Sequence, residues 1–255
     1  MSRNKLIGVV AVILALIISG CSFTTGDPKP RLAMFVGVDI SGSFMNGKYF
    51  DDSIDFLARY IYCHLKGLGD FEVPAALFVS SIGGAHENEP KTFFPIQTFE
   101  NKSIPEITDE LRKMFPRDNP NPYTDYNAFF EQVALTVKNK NLALRPISVV
   151  MVSDGIPDVI RDGKTNYRSI VVRPLEKLSR SVTIRLLYTD ASVGKNWQTK
   201  VPRSRVKIWT QDASVLLSWK DPKILVPDAP LDQQERFFEW VKDNVDFGVR
   251  SKRVS

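Results

Sequence analysis

Residues 32–43 read LAMFVGVDISGS, and this stretch decides the fold. Residues 32–40 form an almost unbroken apolar run. The polar segment Asp39-Ile40-Ser41-Gly42-Ser43 begins at the end of this run. A run that is apolar at successive positions, and not only at alternate ones, indicates a parallel strand covered on both faces. Polar side chains directly after such a strand lie at the sheet edge where open α/β proteins bind ligands. The stretch therefore predicts a buried strand that leads into a polar, ligand-facing loop.

The rest of the chain alternates further strand-like runs with helical patterns. Buried strands are predicted at residues 73–80, 147–153, 182–188 and 206–209. Helical spacing of apolar residues predicts helices at residues 51–66, 104–115, 126–139 and 167–180. Residues 91–99 contain Pro95 and predict a short antiparallel edge strand beside residues 73–80. The order indicates an α/β, doubly wound, mostly parallel sheet with one antiparallel edge strand and helices on both faces.

The N-terminus has the pattern of an export signal. Arg3 and Lys5 precede residues 6–20, which carry no charge. This uncharged run ends in Ile18-Ser19-Gly20, and Cys21 follows it. This end resembles the lipobox of bacterial lipoproteins, in which the cysteine is acylated and becomes the new N-terminus. The resemblance implies a signal peptide at residues 1–20, lipidation at Cys21 and a tether at residues 21–30. A plain secretory signal and an uncleaved anchor are the alternatives, and all three place the remainder outside the cytoplasm.

Composition narrows the class of protein further. The 255 residues are 43% hydrophobic and 25% charged, which excludes a disordered, collagenous or many-spanning membrane protein. The net charge is +5, and two of these charges belong to Arg3 and Lys5 in the predicted leader, which leaves +3. Such a mild and scattered charge gives no reason to expect nucleic-acid binding.

The sequence predicts one domain at residues 31–220, followed by a C-terminal loop and helix at residues 221–255. Asp232 and Glu235 have the spacing of a capping box, and the helix is predicted to run to about residue 245. Phe238 and Val241 belong to its apolar stripe. Since amphipathic helices usually face their own core, we expect this one to pack on the domain, with docking to a partner as the alternative.

Polar side chains gather at the predicted carboxyl edge of the sheet. Asp39, Ser41 and Ser43 follow the first strand, Asp154 follows the strand at 147–153, and Thr124 precedes the helix at 126–139. Two carboxylates and three hydroxyls, without histidine or cysteine, are the hard oxygen ligands that magnesium prefers. Singly, each residue is more often a helix cap or turn former, but together they predict a metal site.

These five residues resemble the metal-ion-dependent adhesion site (MIDAS) of the von Willebrand factor A (VWA) domain. The family pattern is Asp-x-Ser-x-Ser, a later Thr and a later Asp, and all parts are present in order. The resemblance extends over about 190 residues through the β-α order. It implies that Ser41, Ser43 and Thr124 bind the metal directly, and that Asp39 and Asp154 bind it directly or through water.

The resemblance also implies a function. We expect a membrane-anchored, extracytoplasmic module of the bacterial cell envelope that binds a partner protein through magnesium, with manganese or calcium as alternatives. A Glu or Asp of the partner would complete the coordination octahedron, and no catalysis is implied. The alternatives are a metal-dependent hydrolase or phosphotransferase, for which the sequence shows no convincing base, and a structural subunit of an envelope complex.

Overall fold

A computed structural model describes residues 29–84, 92–118, 120, 123–158, 160–161 and 164–246. Six strands form its main sheet: β1 Ala33–Val38, β2 Ala76–Ser81, β4 Phe94–Pro95, β6 Ile147–Val152, β9 Val182–Thr189 and β10 Lys207–Asp212. Their order across the sheet is β10-β9-β6-β1-β2-β4. All neighbours in this sheet pair in parallel except β2 and β4, which are antiparallel. This is the predicted doubly wound sheet with one antiparallel edge strand, so the predicted fold class is confirmed.

In the described residues, two short antiparallel ladders lie outside the main sheet. β3 (Gly83–Gly84) pairs with β5 (Tyr123–Thr124), and β7 (Ile160–Arg161) pairs with β8 (Lys164–Thr165). The first ladder brings Thr124 beside the segment that follows β2. A residue distant in sequence is thereby placed at the carboxyl edge of the main sheet.

Helices cover both faces of the sheet. Their bounds are α1 Gly42–Met45, α2 Phe50–Lys66, α3 Ile104–Met114, α4 Tyr126–Asn139, α5 Arg173–Glu176, α6 Ala191–Lys200, α7 Ala213–Leu216 and α8 Glu235–Asn244. One core cluster contains buried residues of α2, α3, α7 and α8, and the other contains those of α4, α5 and α6. Alternate residues of β1 contribute to the two clusters, Met34 and Val36 to the first and Phe35 to the second. Both faces of β1 are therefore buried, which explains its continuous apolar sequence.

Close packing of α4 on β1 depends on Gly37. A Cβ atom at this position would lie 2.7 Å from Cζ of Phe129. Since no side chain fits there, glycine allows the Phe129 ring to press directly against the strand.

The C-terminal helix α8 packs against the first core cluster. Phe237, Phe238 and Val241 are buried in it. Phe238 lies over Gly69, whose φ of 59° favours glycine and where a Cβ would lie 2.4 Å from Cγ of Phe238. The predicted capping box is wrong: the helix begins after Gln234, which provides no side-chain cap, because residues 231–233 form a 3₁₀ turn instead.

The prediction of one helix over residues 167–180 is also wrong. The structure has a 3₁₀ turn at Tyr167–Ser169 and then the short helix α5, with Pro174 in its first turn. Proline is tolerated in the first turn of a helix but breaks a helix in its interior, so a continuous helix cannot pass through Pro174. Helix α6 had no counterpart among the predicted helices.

Among the described residues, none of the helices has the length and apolar character required to span a bilayer. The predicted signal peptide, Cys21 and most of the predicted tether lie outside the described residues. The predicted domain limits stay predictions.

Candidate metal centre

Asp39 lies at the carboxyl end of β1 and is fully buried. Its backbone N–H donates to the carbonyl of Val152, which continues the β1–β6 ladder by one residue. Its Oδ1 accepts a hydrogen bond of 2.8 Å from the backbone N–H of Ser41. The carboxylate is therefore fixed by the turn that follows its own strand.

Ser41, Ser43 and Asp154 form a chain of oxygen atoms next to Asp39. The Oγ atoms of Ser41 and Ser43 are 3.1 Å apart, and Ser43 Oγ donates to Oδ2 of Asp154 over 2.8 Å. The backbone N–H of Ile156 donates to the other oxygen, Oδ1 of Asp154, at 3.0 Å. Ser41 also caps α1, as its Oγ accepts a long hydrogen bond from the N–H of Phe44. The capping role and the role in the cluster thus coexist.

Ser153 contacts the Asp39 carboxylate, although no motif in the sequence points to this serine. Its Oγ lies 2.5 Å from Oδ2 of Asp39 and 2.6 Å from the hydroxyl of Tyr126, and it accepts from the N–H of Gly155 at 2.9 Å. The register pairs Val38 with Val152, so Asp39 and Ser153 are the next residues on neighbouring strands. Knowledge that β6 lies beside β1 would have identified Ser153.

Gly155 fixes the turn that presents Asp154. Its φ is 79°, and a Cβ would lie 2.8 to 3.0 Å from Val193, Leu186 and Thr189. Its carbonyl accepts a hydrogen bond of 2.7 Å from the indole N–H of the buried Trp197. Only glycine tolerates both the positive φ and the close approach of these three side chains at this position.

Thr124 reaches the same edge of the sheet by another route. It is buried, it pairs with Gly83 across the β3–β5 ladder, and its N–H donates to the carboxylate of Asp158. Asp158 lies in the loop that follows β6, so Thr124 is tied to the loop that carries Asp154. Asp158 is a second residue that sequence reasoning missed. The next residue, Asp125, caps α4 through the N–H of Ala128.

The electrostatics of the cluster are those of an unneutralised carboxylate pair. Burial, helped by the nearby charge of Asp154, raises the pKa of Asp39 to about 6, although the hydrogen bonds from Ser153 and Ser41 act in the opposite direction. Among the described residues, Asp39 and Asp154 form no ion pair with a lysine, arginine or histidine. Because a buried carboxylate is costly without a positive charge nearby, a cation at this position would relieve the cost.

The oxygen geometry also fits a small divalent cation. Ligands at 2.1 Å in an octahedron have neighbouring oxygens about 3.0 Å apart, and the Ser41–Ser43 and Ser43–Asp154 separations are 3.1 and 2.8 Å. Hydrogen bonds keep the oxygens at these separations. Asp39 and Ser41 are buried, whereas Ser43 is exposed and Asp154 half-buried, so the cluster opens to solvent on one side.

Acidic, histidine and cysteine side chains alone do not make up this cluster. Within the described part of the chain, no group of three His, Cys, Asp or Glu residues could hold a metal ion. Any cation here must therefore depend on hydroxyl oxygens as well as on Asp39 and Asp154. Four of the five predicted ligands are linked by hydrogen bonds or oxygen contacts, and Thr124 is hydrogen-bonded to Asp158 in the loop that also carries Asp154.

Comparison with known proteins gave similarities of structure only. No protein-family model matches the chain, and no curated protein matches it in sequence. Among solved structures, proximal thread matrix protein 1 from the mussel byssus is 13% identical, with 74% of this chain and 46% of that chain covered and a TM-score of 0.45. The manganese-loaded Plasmodium vivax TRAP protein is 16% identical, with 76% and 73% covered and a TM-score of 0.44.

The SpRpn10 VWA domain is likewise similar, at 14% identity, with 75% of this chain and 96% of that chain covered and a TM-score of 0.44. The chain spans less than half the length of the byssus protein. The fold class follows from the order and register of this chain's own strands.

Proposed function

We propose that this chain is a protein-binding module of the VWA type that acts through a divalent metal, with magnesium as the expected ion. One observation carries the proposal: the fully buried Asp39 and the neighbouring Asp154 share a hydroxyl-rich cluster without a described positive partner. The cluster lies at the edge of the sheet where α/β proteins bind ligands.

Ser41, Ser43 and Thr124 would hold the metal directly, and Asp39 and Asp154 would hold it directly or through water. When bound, the metal supplies a positive centre with a coordination position for an outside carboxylate. Ser43 and Asp154 are the members on the solvent side of the cluster, so a Glu or Asp of a partner protein would approach over them. The buried Asp39 carboxylate would balance the positive charge of the metal. Ser153 donates a hydrogen bond to this carboxylate, and the Tyr126 hydroxyl contacts Ser153.

A binding role is favoured over hydrolysis or phosphoryl transfer. Both reactions need a positioned base, and the described histidine, His64, is buried with its Nδ1 at 2.9 Å from the carbonyl of Glu72. Glu72 precedes β2, whereas the cluster follows the carboxyl ends of β1 and β6, so His64 is placed away from the hydroxyls. A structural subunit of an envelope complex, in which the metal only stabilises the loops, is the second binding alternative.

The proposal includes the location of the module. Export by the leader at residues 1–20 and lipidation at Cys21 would anchor it to a membrane of the bacterial envelope, on the extracytoplasmic side. The support is the sequence pattern of a basic start, an apolar run and Ser19-Gly20-Cys21.

Thermal unfolding with and without Mg²⁺, Mn²⁺ and Ca²⁺ tests the metal site. Saturation at 100 times the dissociation constant adds about 2.7 kcal/mol to the free energy of unfolding, which raises Tm by roughly 5 to 10 °C at this size. We expect this increase in the wild type and its loss in Asp39→Asn and Asp154→Asn. Asp190→Asn is the matched control, because Asp190 follows β9 at the same edge but caps α6. An equal increase in wild type and Asp154→Asn would contradict the proposed site.

A further inference from the structure

The edge of the sheet opposite the metal centre, where the strands begin, is strongly basic. Four connections meet there, directly before β1, β6, β9 and β10. Their basic residues are Lys29, Arg31, Lys138, Lys140, Arg145, Lys177, Arg180, Lys200, Arg203, Arg205 and Lys207. All of them are exposed except Arg145, which is half-buried. We call this surface the basic edge.

Within these four connections, acidic residues do not balance the basic ones. Glu176 is the acidic residue in these connections, and its Oε1 accepts from the backbone N–H groups of Ser204 and Arg205. Asp70 and Glu72 lie further along, before β2. The four strands β10, β9, β6 and β1 are adjacent, so at about 4.8 Å per strand the basic edge extends over roughly 14 Å.

An apolar side chain stands in the middle of this charged surface. Leu144, in the connection before β6, is 79% exposed. Its φ of 68° lies in the left-handed region, and its N–H donates to the carbonyl of Leu178 in the next connection over 2.8 Å. The backbone is therefore held so that the leucine projects from the edge. An exposed leucine surrounded by lysine and arginine is the combination with which proteins contact a lipid–water interface.

The predicted tether joins the domain at this same edge. Arg145 donates from Nη1 to the carbonyl of Pro30 at 3.4 Å, and the N–H of Ala33 donates to the carbonyl of Pro146 at 2.9 Å. The segment that leads back to Cys21 thus leaves the described structure beside Leu144. A short tether from a lipidated Cys21 would place this edge nearest the membrane.

Several acidic residues lie at the opposite edge of the sheet. Asp39, Asp154, Asp158, Asp190 and Asp212 all lie at or after the carboxyl ends of strands. A six-residue strand is about 20 Å long, and charges are screened over about 8 Å at physiological ionic strength. The acidic residues therefore do not cancel the attraction of the basic edge for an anionic surface.

We propose that the basic edge, with Leu144 at its centre, docks on the anionic phospholipid surface of the membrane to which the chain is tethered. This inference rests on the anchoring part of the proposed function. Lysine and arginine side chains contact lipid phosphates, and the leucine enters the interface. The docked orientation points the metal centre away from the membrane, where a partner protein can reach Asp154 and Ser43. Each basic residue near an anionic surface contributes roughly a fivefold gain in binding.

The test uses the full chain reconstituted in vesicles of phosphatidylcholine, either alone or with about one third phosphatidylglycerol. An environment-sensitive fluorophore is attached to Leu144→Cys, and a nitroxide on the lipid quenches it at the interface. Cys63 is buried and burial raises its pKa to about 12, so it stays unlabelled. The matched control carries the fluorophore at Ile156→Cys, a position that is 43% exposed beside Asp154.

We expect quenching at position 144 that is at least threefold stronger in the anionic vesicles, and none at position 156. Lys140→Glu, Lys177→Glu and Arg180→Glu together should abolish it. The control variant combines Lys48→Glu, Lys195→Glu and Lys223→Glu, which make the same change of charge on exposed residues elsewhere. It should leave the quenching at position 144 unchanged.

Equal quenching at both positions would overturn the proposal. Quenching at position 144 that is the same without anionic lipid, or the same in the first triple variant, would overturn it too. Shielding of the fluorophore by an acidic protein without lipid quenching would assign the edge to a protein partner and overturn it as well. Flotation of the chain with neutral vesicles reports the anchor separately, and Asp154→Asn should not alter the signal at position 144. Failure of the anchor, of the metal site and of lipid docking are therefore distinguishable.

Discussion

The Ser43 hydroxyl donates to the Asp154 carboxylate over 2.8 Å, although 111 residues separate them in the chain. This bond joins the loop after β1 to the loop after β6, which are neighbouring parallel strands. It brings the first and last parts of the Asp-x-Ser-x-Ser, Thr and Asp pattern into one cluster. The arrangement needs no partner chain, so its chemistry can be tested on the isolated protein.

Ser153 is predicted to position Asp39 for metal binding. Ser153→Ala removes the hydroxyl that contacts Asp39, Tyr126 and the N–H of Gly155. Loss of such an outer contact typically lowers metal affinity by about 10- to 100-fold. We expect that decrease in a calorimetric titration with Mn²⁺, with partial recovery in Ser153→Thr, which keeps a hydroxyl. Unchanged affinity in Ser153→Ala would show that this contact does not position Asp39.

Helix α8 is predicted to be part of the folded unit and not a detachable docking helix. Phe237 is fully buried and contacts Trp219 edge to face at 6.3 Å between ring centroids. Phe237→Ala should lower the free energy of unfolding by about 3 to 5 kcal/mol, measured by urea denaturation. Glu235→Ala, at an exposed position of the same helix, is the control. A loss below about 1 kcal/mol for Phe237→Ala would favour the docking alternative instead.

Asp246 is predicted to stabilise the fold in a pH-dependent manner. Burial raises the pKa of its carboxyl, but the contact with His64, the charge of Arg185 and the hydroxyl of Tyr60 outweigh burial and hold that pKa below its usual value. Arg185 Nε lies 3.1 Å from Oδ1 of Asp246, and Tyr60 donates to the same oxygen at 2.9 Å. These contacts fasten the end of α8 to β9 and α2.

A lowered pKa in the folded state means that the unfolded chain binds the proton more tightly. The stabilisation is therefore complete above the unfolded pKa of about 3.9 and is lost as the pH falls through the still lower folded value. Asp246→Asn should cost about 3 to 5 kcal/mol at pH 7, because Arg185 is left buried and unpaired, and the difference from wild type should shrink below pH 4. Circular dichroism during urea unfolding at each pH measures this. A difference that stays constant down to pH 2 would contradict the assignment.

The sequence was sufficient for the strands of the sheet and for most of the cluster. Long apolar runs such as residues 32–40 and 147–153 indicate buried parallel strands, and polar residues that follow such runs must share an edge. The sequence could not show which strands are neighbours in the sheet, and for that reason Ser153 and Asp158 were missed. Both contacts depend on β6 lying beside β1 and on the loop that follows β6.

Weak local signals account for the errors in the helices. Helix α6 contains Gly194, which approaches Thr210 closely, together with several polar residues, so its apolar pattern is faint. Pro174 interrupts the predicted helix at 167–180 because the ring fits only in a first turn. The basic residues also looked scattered along the chain. The alternation of strands and helices returns the chain to the same edge after each helix, so residues as distant as Arg31 and Arg205 come to share one surface.

Equilibrium dialysis against Mn²⁺ tests the central claim most directly. We expect the wild type to retain about one ion per chain and excess Mg²⁺ to displace it, as for an oxygen-ligand site. Asp154→Asn should retain less than about a tenth of that amount, while Asp190→Asn should match the wild type. Retention of no ion by the wild type, or equal retention by Asp154→Asn, would contradict a metal centre at Asp39, Ser41, Ser43, Thr124 and Asp154.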